Sequence, residues 1–545
     1  MTGYDSIASF KKGFKNPVPL VVNLTALRAF IFPTVLTLGF VSISLLDPIQ
    51  QNIRLLLSFL GTGVVLLVWC ALLFLFARIR NRTFKLKIVL RSQHYLQSLA
   101  QGTVLLYWGW YWGDVYDSAY LIASQVVFAY VFDMLLSWGR RDAYTLGFGP
   151  VPVILSINLF LWFRPDWFYL QFLLVAVGFS AKELIRWNKD GQSVHIFNPS
   201  SFALAVFSIG LLLTGMSDIT RGQEIAVTQF YPPHMYAVLF LVSLPGQLLF
   251  GVATMTMSAV VSAYLFGIIF FLVTGTYFFF DSYIPIAIFL GMHLLFTDPS
   301  TAPKTELGRI FFGILYGLSS VILYDLLSRA GLPAFYDKLL QVPVLNLSIN
   351  LIDRIARSKQ LNVFNPERIG RLMTKHQRNF AYVSIWGLVF LSLSITQGVG
   401  DKHPGQWLPF WQQACSSQME HIETGSSDNE GVRPSACGYL TQLQSMFCYR
   451  GSGWACNELG VLQVSRESNP IEATFAFEDG CELGFEVACQ NLPKVKDGMA
   501  ELERSAPLLD DYPIILRGSK GPIEYQNSLE LYNLACKQGW PDTCE

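Results

Sequence analysis

A succession of apolar runs occupies the first four hundred residues, at roughly 28–46, 55–77, 96–112, 119–137, 148–163, 168–185, 200–215, 235–250, 252–274, 281–297, 310–328 and 379–397. Crossing a bilayer as a helix takes about 20 such residues, so this spacing predicts a polytopic bundle with the lipid bilayer as its first partner. Several runs are shorter, which predicts half-helices or re-entrant segments. Composition agrees: 14% of the 545 residues are charged, against about 25% in an average soluble domain. The first run starts only near Ala26 and has no cleavage site in its flank, so it reads as a first span rather than a signal peptide.

The zero net charge is the sum of two unlike parts. Residues 401–545 carry 10 Lys/Arg against 21 Asp/Glu, and residues 1–400 carry 29 against 18. Cysteine divides the same way, with Cys70 in an apolar run and the other eight between 415 and 544. Both place a domain boundary near 398–402. The expected division is 1–118, N-terminal membrane helices; 119–328, a membrane core; 329–378, a basic segment; 379–400, a last span; and 401–545, an external domain.

Basic loops face the cytoplasm. Arg78, Arg80, Arg82, Lys85, Lys87 and Arg91 crowd loop 78–91 with no acid, and segment 329–378 has nine Lys/Arg against three Asp/Glu. The N-terminus is then cytoplasmic and the C-terminal domain periplasmic, in a bacterial inner membrane. Strict alternation fails by one unless 235–250, broken at Pro245-Gly246, turns back without crossing. The expected count is eleven spans plus that re-entrant segment.

Two polar knots interrupt the apolar pattern. His195–Phe202 reads HIFNPSSF, and residues 297–305 read TDPSTAPKT. Polar backbone at membrane depth must line a cavity, hold a ligand or lie at the interface. With 235–250 turned back, the first knot falls on the cytoplasmic side and the second opposite, which predicts inverted repeats with a site between them. Asn198-Pro199 and Asp298-Pro299 can cap the helices that follow, and His195, Asn198, Pro199, Thr297, Asp298 and Thr301 can line a cofactor site as well. Lys182, Arg186 and His195 form a basic face, read as positive-inside anchoring or as a hold for a head group. Asp133 and Glu183 lie in or near apolar runs, Glu183 within reach of Arg186 or Arg140. Trp108, Trp110, Tyr111 and Trp112 read as an interfacial belt.

Outside the membrane, Cys448–Cys456, Cys481–Cys489 and Cys536–Cys544 are each C-x7-C, and Cys415, Cys448 and Cys481 are 33 residues apart in turn. Cys437 is left to partner Cys415. The period predicts stacked helix hairpins, a disulfide-rich α-solenoid stapled by four bridges. Metal binding is the rival reading, with no C-x2-C and only His403 and His421 at hand; no metal is expected. The segments FEDGCELGFEVACQNL and LELYNLACKQGWPDTCE resemble cysteine-rich Sel-type repeats, relatives of tetratricopeptide repeats, which implies a domain that docks a protein.

The fold class expected is therefore all-α, an inverted-repeat membrane bundle with half-helices plus an external helical repeat domain. Across 120–328 the membrane part resembles the NqrB/RnfD family, the membrane flavin components of the sodium-pumping NADH:quinone reductase and of the Rnf electron-transport complex. The resemblance rests on the order of five features: Leu121 through Asp133 and Arg140–Gly149, Lys182–Trp187 (KELIRW), HIFNP, the Leu244-Pro245-Gly246 turn, and TDPSTAPKTELGR with its Gly313/Gly317 helix. It implies a flavin- and quinone-linked electron-transfer protein working beside other membrane electron-transfer subunits and a periplasmic partner, with Gly246 near the cofactor. Relatives carry FMN as a phosphoester on a Thr in an S-G-A-T-like motif. Ile225-Ala226-Val227-Thr228 keeps only the Thr, and Thr254 and Thr256 lie inside a helix. FMN or riboflavin held without the ester is the expectation. No Walker A, dinucleotide or iron–sulfur motif appears, so NADH oxidation would occur elsewhere, and nucleic acid is not an expected partner. A transporter on the same body, with flavin or another small solute as cargo, and a scaffold presenting the repeats are the other readings.

Overall fold

The computed structural model describes residues 20–80, 82–189, 192–274, 277–279, 282–366, 373–396, 403–423, 436–467, 469–498, 501–516 and 527–544. The expected boundary at 398–402 lies outside them. Among the described residues, thirteen helices of nine residues or more, one of them continued as a π turn, build the membrane body. The first six are α1 (Ala26–Ile43), α2 (Ile53–Ile79), α3 (Ser92–Tyr111), α4 (Ala119–Arg141), α5 (Pro150–Asn158) and α6 (Tyr169–Leu184). Then come α7 (Pro199–Thr214), α8 (Met235–Phe250), α9 (Ala253–Thr274), α10 (Ile286–Leu290, continuing as a π turn Gly291–Leu295), α11 (Glu306–Arg329), α12 (Gln341–Ala356) and α13 (Lys375–Ile395). Among the described residues, seven stretches are long and apolar enough to cross a membrane. Their outer faces carry Leu57, Val64, Val65, Leu272 and Leu388, all exposed, as a bilayer requires and water would not tolerate.

Packing follows from residue size. Phe40, Phe59, Phe128, Phe168 and Phe172 interlock α1, α2, α4 and α6, with ring centroids 5.1–6.2 Å apart. In α11, Gly313 and Gly317 lie flat against the α9 backbone, and a Cβ on either would collide with the carbonyl of Met255 or Ala259. Such small-residue contact is how helices approach where lipid removes the hydrophobic drive.

Two helices stop halfway, as the short runs predicted. Beyond α5 the chain turns at Leu159 and Phe160 and runs on without regular structure to Phe163, with every one of these residues buried. Backbone of this kind must find its hydrogen bonds in protein. Gln229 Nε2 donates to Leu159 O at 2.7 Å, and Phe163 N donates to Gln171 Oε1 at 3.0 Å. Gln171 in turn joins a buried amide cluster with Gln125 and Asn158, at 2.9–3.1 Å.

Several expectations need correction. Segment 235–250 does not turn back: α8 runs unbroken through Pro245, with Tyr236 Oη donating to Ile284 O at one end and Asn379 Nδ2 to Leu248 O at the other. Nor is 329–378 one basic loop. Its α12 lies in the bundle against α11 and α7, burying Val342, Leu345, Asn346, Ile349, Ile352 and Asp353 on one face. The extra passes put both knots at one end of the body, not at opposite ends. Small strands add to the helices there. β1 (Leu20–Leu24), β2 (Phe84–Ile88) and β3 (Ala143–Leu146) form a sheet, β1 antiparallel and β3 parallel to β2. β4 (Arg186–Lys189) and β5 (Gln192–His195) form a hairpin. Trp108 is fully buried beside Trp112 and Trp162 rather than interfacial.

The C-terminal domain is a second core of stacked helices: α14 (Leu408–Glu423), α15 (Ala436–Tyr449), α16 (Gly453–Leu462), α17 (Pro470–Glu482), α18 (Glu486–Lys496) and α19 (Ser528–Lys537). Cys415–Cys437, Cys448–Cys456, Cys481–Cys489 and Cys536–Cys544 are bonded in the pairing read from the spacing. Three of these join the end of one helix to the start of the next turn or helix. This domain sits on the end of the body opposite the knots, where Arg450 stacks over the Tyr231 ring at 4.8 Å and His403 meets Tyr277 and Tyr283.

Candidate functional site

The knot end is built from helix starts. At Asn198 the chain enters α7, its Oδ1 accepting from Ser200 N at 3.1 Å and Ser201 N at 3.3 Å, with Pro199 in the first turn. Asp298 repeats the pattern over the short turn Pro299–Thr301, accepting from Ser300 N at 3.0 Å. Capping is thus what both sequences do locally. Tertiary contacts then bring the two caps together. Asn198 Nδ2 donates to Leu295 O at 3.3 Å, and His195 Nε2 lies 4.0 Å from Asp298 Oδ2.

Helix α12 is the strut between them. Asn346 Oδ1 accepts from Asn198 N at 3.2 Å while its Nδ2 donates to Thr301 O at 3.1 Å. Further along that face, Asp353 accepts from Lys304 N, Thr305 N and Thr305 Oγ1 at 2.7–3.0 Å, closing the second knot. Neither residue stands out in the sequence. The signal is present as an apolar stripe at helical spacing, Val342, Leu345, Ile349, Ile352, Ala356, inside a segment whose basic residues mask it.

Both knots line one cavity of ≈ 390 Å³. Its walls come from β2, α3, α4, α5, α6, β4, β5, α7 and the second knot. His195, Asn198, Pro199 and Asp298 all face it, together with Lys182, Arg186, Asp133 and Glu183. Lys87, Arg91, His94 and Arg141 add to the polar lining, and nothing in the sequence marks them as a set. The acids there have partners. Asp133 pairs with Lys182 at 3.4 Å, and Glu183 pairs with Arg141 at 2.6 Å rather than with Arg140 or Arg186. Burial works against a charge on Asp298, but the attraction of nearby His195 and the bonds from Ser300 outweigh it and hold the carboxyl below the usual carboxylate range. Lys87, Arg91 and Arg186 have no carboxylate partner among the described residues. The cavity therefore carries an uncompensated positive surplus, which favours an anion.

The other candidates fall elsewhere. Thr297 donates to His293 O at 2.7 Å and lines, with Gly246, a small chamber adjoining the cavity. Thr301 is buried, held through its backbone by Asn346. Thr228 lies at the opposite end in a short helix, Gly222–Thr228, and is buried. Its Oγ1 accepts from Trp108 Nε1 at 3.2 Å and donates to Ile225 O at 3.4 Å. A phosphoester there would have to displace the Trp108 indole. Thr254 Oγ1 donates to Glu306 and Thr256 Oγ1 to Val252 O, both within the helix packing. No group of three or more metal-ligating side chains occurs among the described residues. Comparisons with protein-family models, with curated proteins and with solved structures returned no match.

Proposed function

We propose that this chain is a membrane electron-transfer protein that holds a flavin non-covalently in the cavity between the two knots. The observation that supports it most is the convergence of two distant polar knots on one cavity with unpaired cations at its wall. FMN would set its phosphate among Lys87, Arg91 and Arg186. Val89, Pro150, Pro152 and Val153 offer the apolar faces that an isoalloxazine needs, and ≈ 390 Å³ falls in the range of about 300–1,000 Å³ usual for ligand pockets. The satisfied, buried hydroxyl of Thr228 favours non-covalent over ester-linked flavin.

In this reading the basic end faces the cytoplasm by the positive-inside rule. The disulfide domain, read as a short α-solenoid, stands in the oxidising periplasm and docks a redox partner there. Electrons pass between that side and a quinone or a neighbouring membrane protein. The test is flavin content of protein purified from native membranes. A yellow native sample with a dark band on a denaturing gel is expected, with the colour lost in the Arg91→Glu, Arg186→Glu double variant. A colourless sample would overturn the reading. The broken helices α5 and α10 favour a second one, transport of a small anionic solute, in which purified protein in liposomes would carry flux without any bound chromophore.

A further inference from the structure

Beside the main cavity, and sharing Gln97 and Pro299 with it, lies a chamber of ≈ 40 Å³ between α3, α8 and the π turn of α10. That volume holds about three water-sized groups, too few for a ring but enough for the edge of one. Two of its walls are His293 and Gln247, each 2% exposed. The Nδ1 of His293 lies 2.7 Å from Phe289 O. A carbonyl only accepts, so the proton sits on Nδ1 and Nε2 is left as a bare acceptor. Gln247 is fixed just as firmly. Ser243 Oγ spends its proton on Phe240 O, so it accepts from Gln247 Nε2 at 2.9 Å, and Gln247 Oε1 is left over. Neither His293 Nε2 nor Gln247 Oε1 has a hydrogen-bond partner among the described residues.

Two buried acceptors of fixed orientation, in an otherwise largely apolar chamber that adjoins a ligand-sized cavity, select for a donor. The π turn that presents His293 is an irregularity found mostly where helices do something other than pack. We propose that the chamber takes the hydrogen-donating edge, an amide or imide N–H, of a ligand whose anionic end lies among Lys87, Arg91 and Arg186. An edge made only of carbonyl oxygens, such as that of a quinone, would face two acceptors and be refused. The inference deepens the flavin reading and rests on it, since an isoalloxazine carries one imide N–H opposite its phosphate-bearing side.

The probes are FMN and N3-methyl-FMN, in which a methyl group replaces that N–H, titrated into purified full-length protein in nanodiscs. The wild type should hold FMN at least tenfold more tightly. The Gln247→Met and His293→Phe variants should bind both compounds alike, each weakly, with thermal unfolding measured alongside. Equal affinity of the wild type for the two compounds overturns the chamber and leaves the flavin reading standing. Failure of the wild type to bind FMN at all overturns both. Because the wild-type comparison decides by itself, a variant that does not fold leaves the test intact.

Discussion

The two ends of the membrane body meet opposite demands with different chemistry. At the knot end, polar backbone and charge are drawn into a cavity, and every carboxylate there is matched to a cation or capped. At the other end, Ala226, Phe230, Tyr231, Phe279 and Phe335 meet Leu443, Met446, Phe447 and Arg450 of the repeat domain across an apolar seam enclosing ≈ 200 Å³. One end is organised by hydrogen bonds that leave cations over, the other by aromatic contact that leaves little charge over. The difference separates an end lined by cations from an end on which the repeat domain is seated.

The firmest way to break the comparison is to disturb what both ends share, the close packing of α9 on α11. A leucine at Gly313 meets the Met255 backbone, which cannot move aside. Gly313→Leu should cost about 3 kcal/mol and lower the thermal midpoint of the whole body, read by tryptophan fluorescence. A normal midpoint would refute the packing. Confined to the seam end, removal of the Cys481–Cys489 bridge, which closes a separation of 8 residues, should cost the repeat domain about 2.5 kcal/mol from loop entropy. Denaturant unfolding of the domain should show it, while the knot-end cavity is unaffected.

At the knot end, Asp353→Ala strands the Lys304 and Thr305 amides and should cost about 2 kcal/mol, with faster hydrogen exchange in 297–305 and none at the seam. A smaller effect follows from Asp298. Its folded-state pKa is depressed, so its stabilisation is present above the ordinary carboxylate value and lost as pH falls through the depressed one. The stability gap between the wild type and Asp298→Asn should stay level from about pH 8 to about 5 and close only in stronger acid. A gap that opened on acidification would reverse the sign. The smallest effect belongs to Arg450→Ala, which removes one cation–π contact and should cost under about 1 kcal/mol, seen as faster exchange at Tyr231 with the knots unchanged.

Much of this is legible in the chain. Apolar runs with no charges can only be buried in lipid or protein, so the helices announce themselves, including the halves α5 and α10. The C-x7-C spacing identifies the disulfide partners because two turns of a helix hairpin bring such residues together. Asn198-Pro199 and Asp298-Pro299 are readable as caps because capping is local. Direction across the membrane is not readable with the same security, since it depends on counting every pass. The apolar stripe of α12 is diluted by Lys338, Arg354 and Arg357, and Pro245 looks like a break although its helix continues.

What the sequence determined by itself, then, is everything set within a few residues: span, cap, staple and the sign of each loop's charge. Only the tertiary structure decided that the two knots face one another, that Asn346 and Asp353 hold them, and that Thr228 lies under Trp108. Those relations join residues between 45 and 148 positions apart, 120 for the Trp108–Thr228 pair. No local preference of the backbone reports on such a distance, and the parity of the passes between them reverses with one misjudged helix.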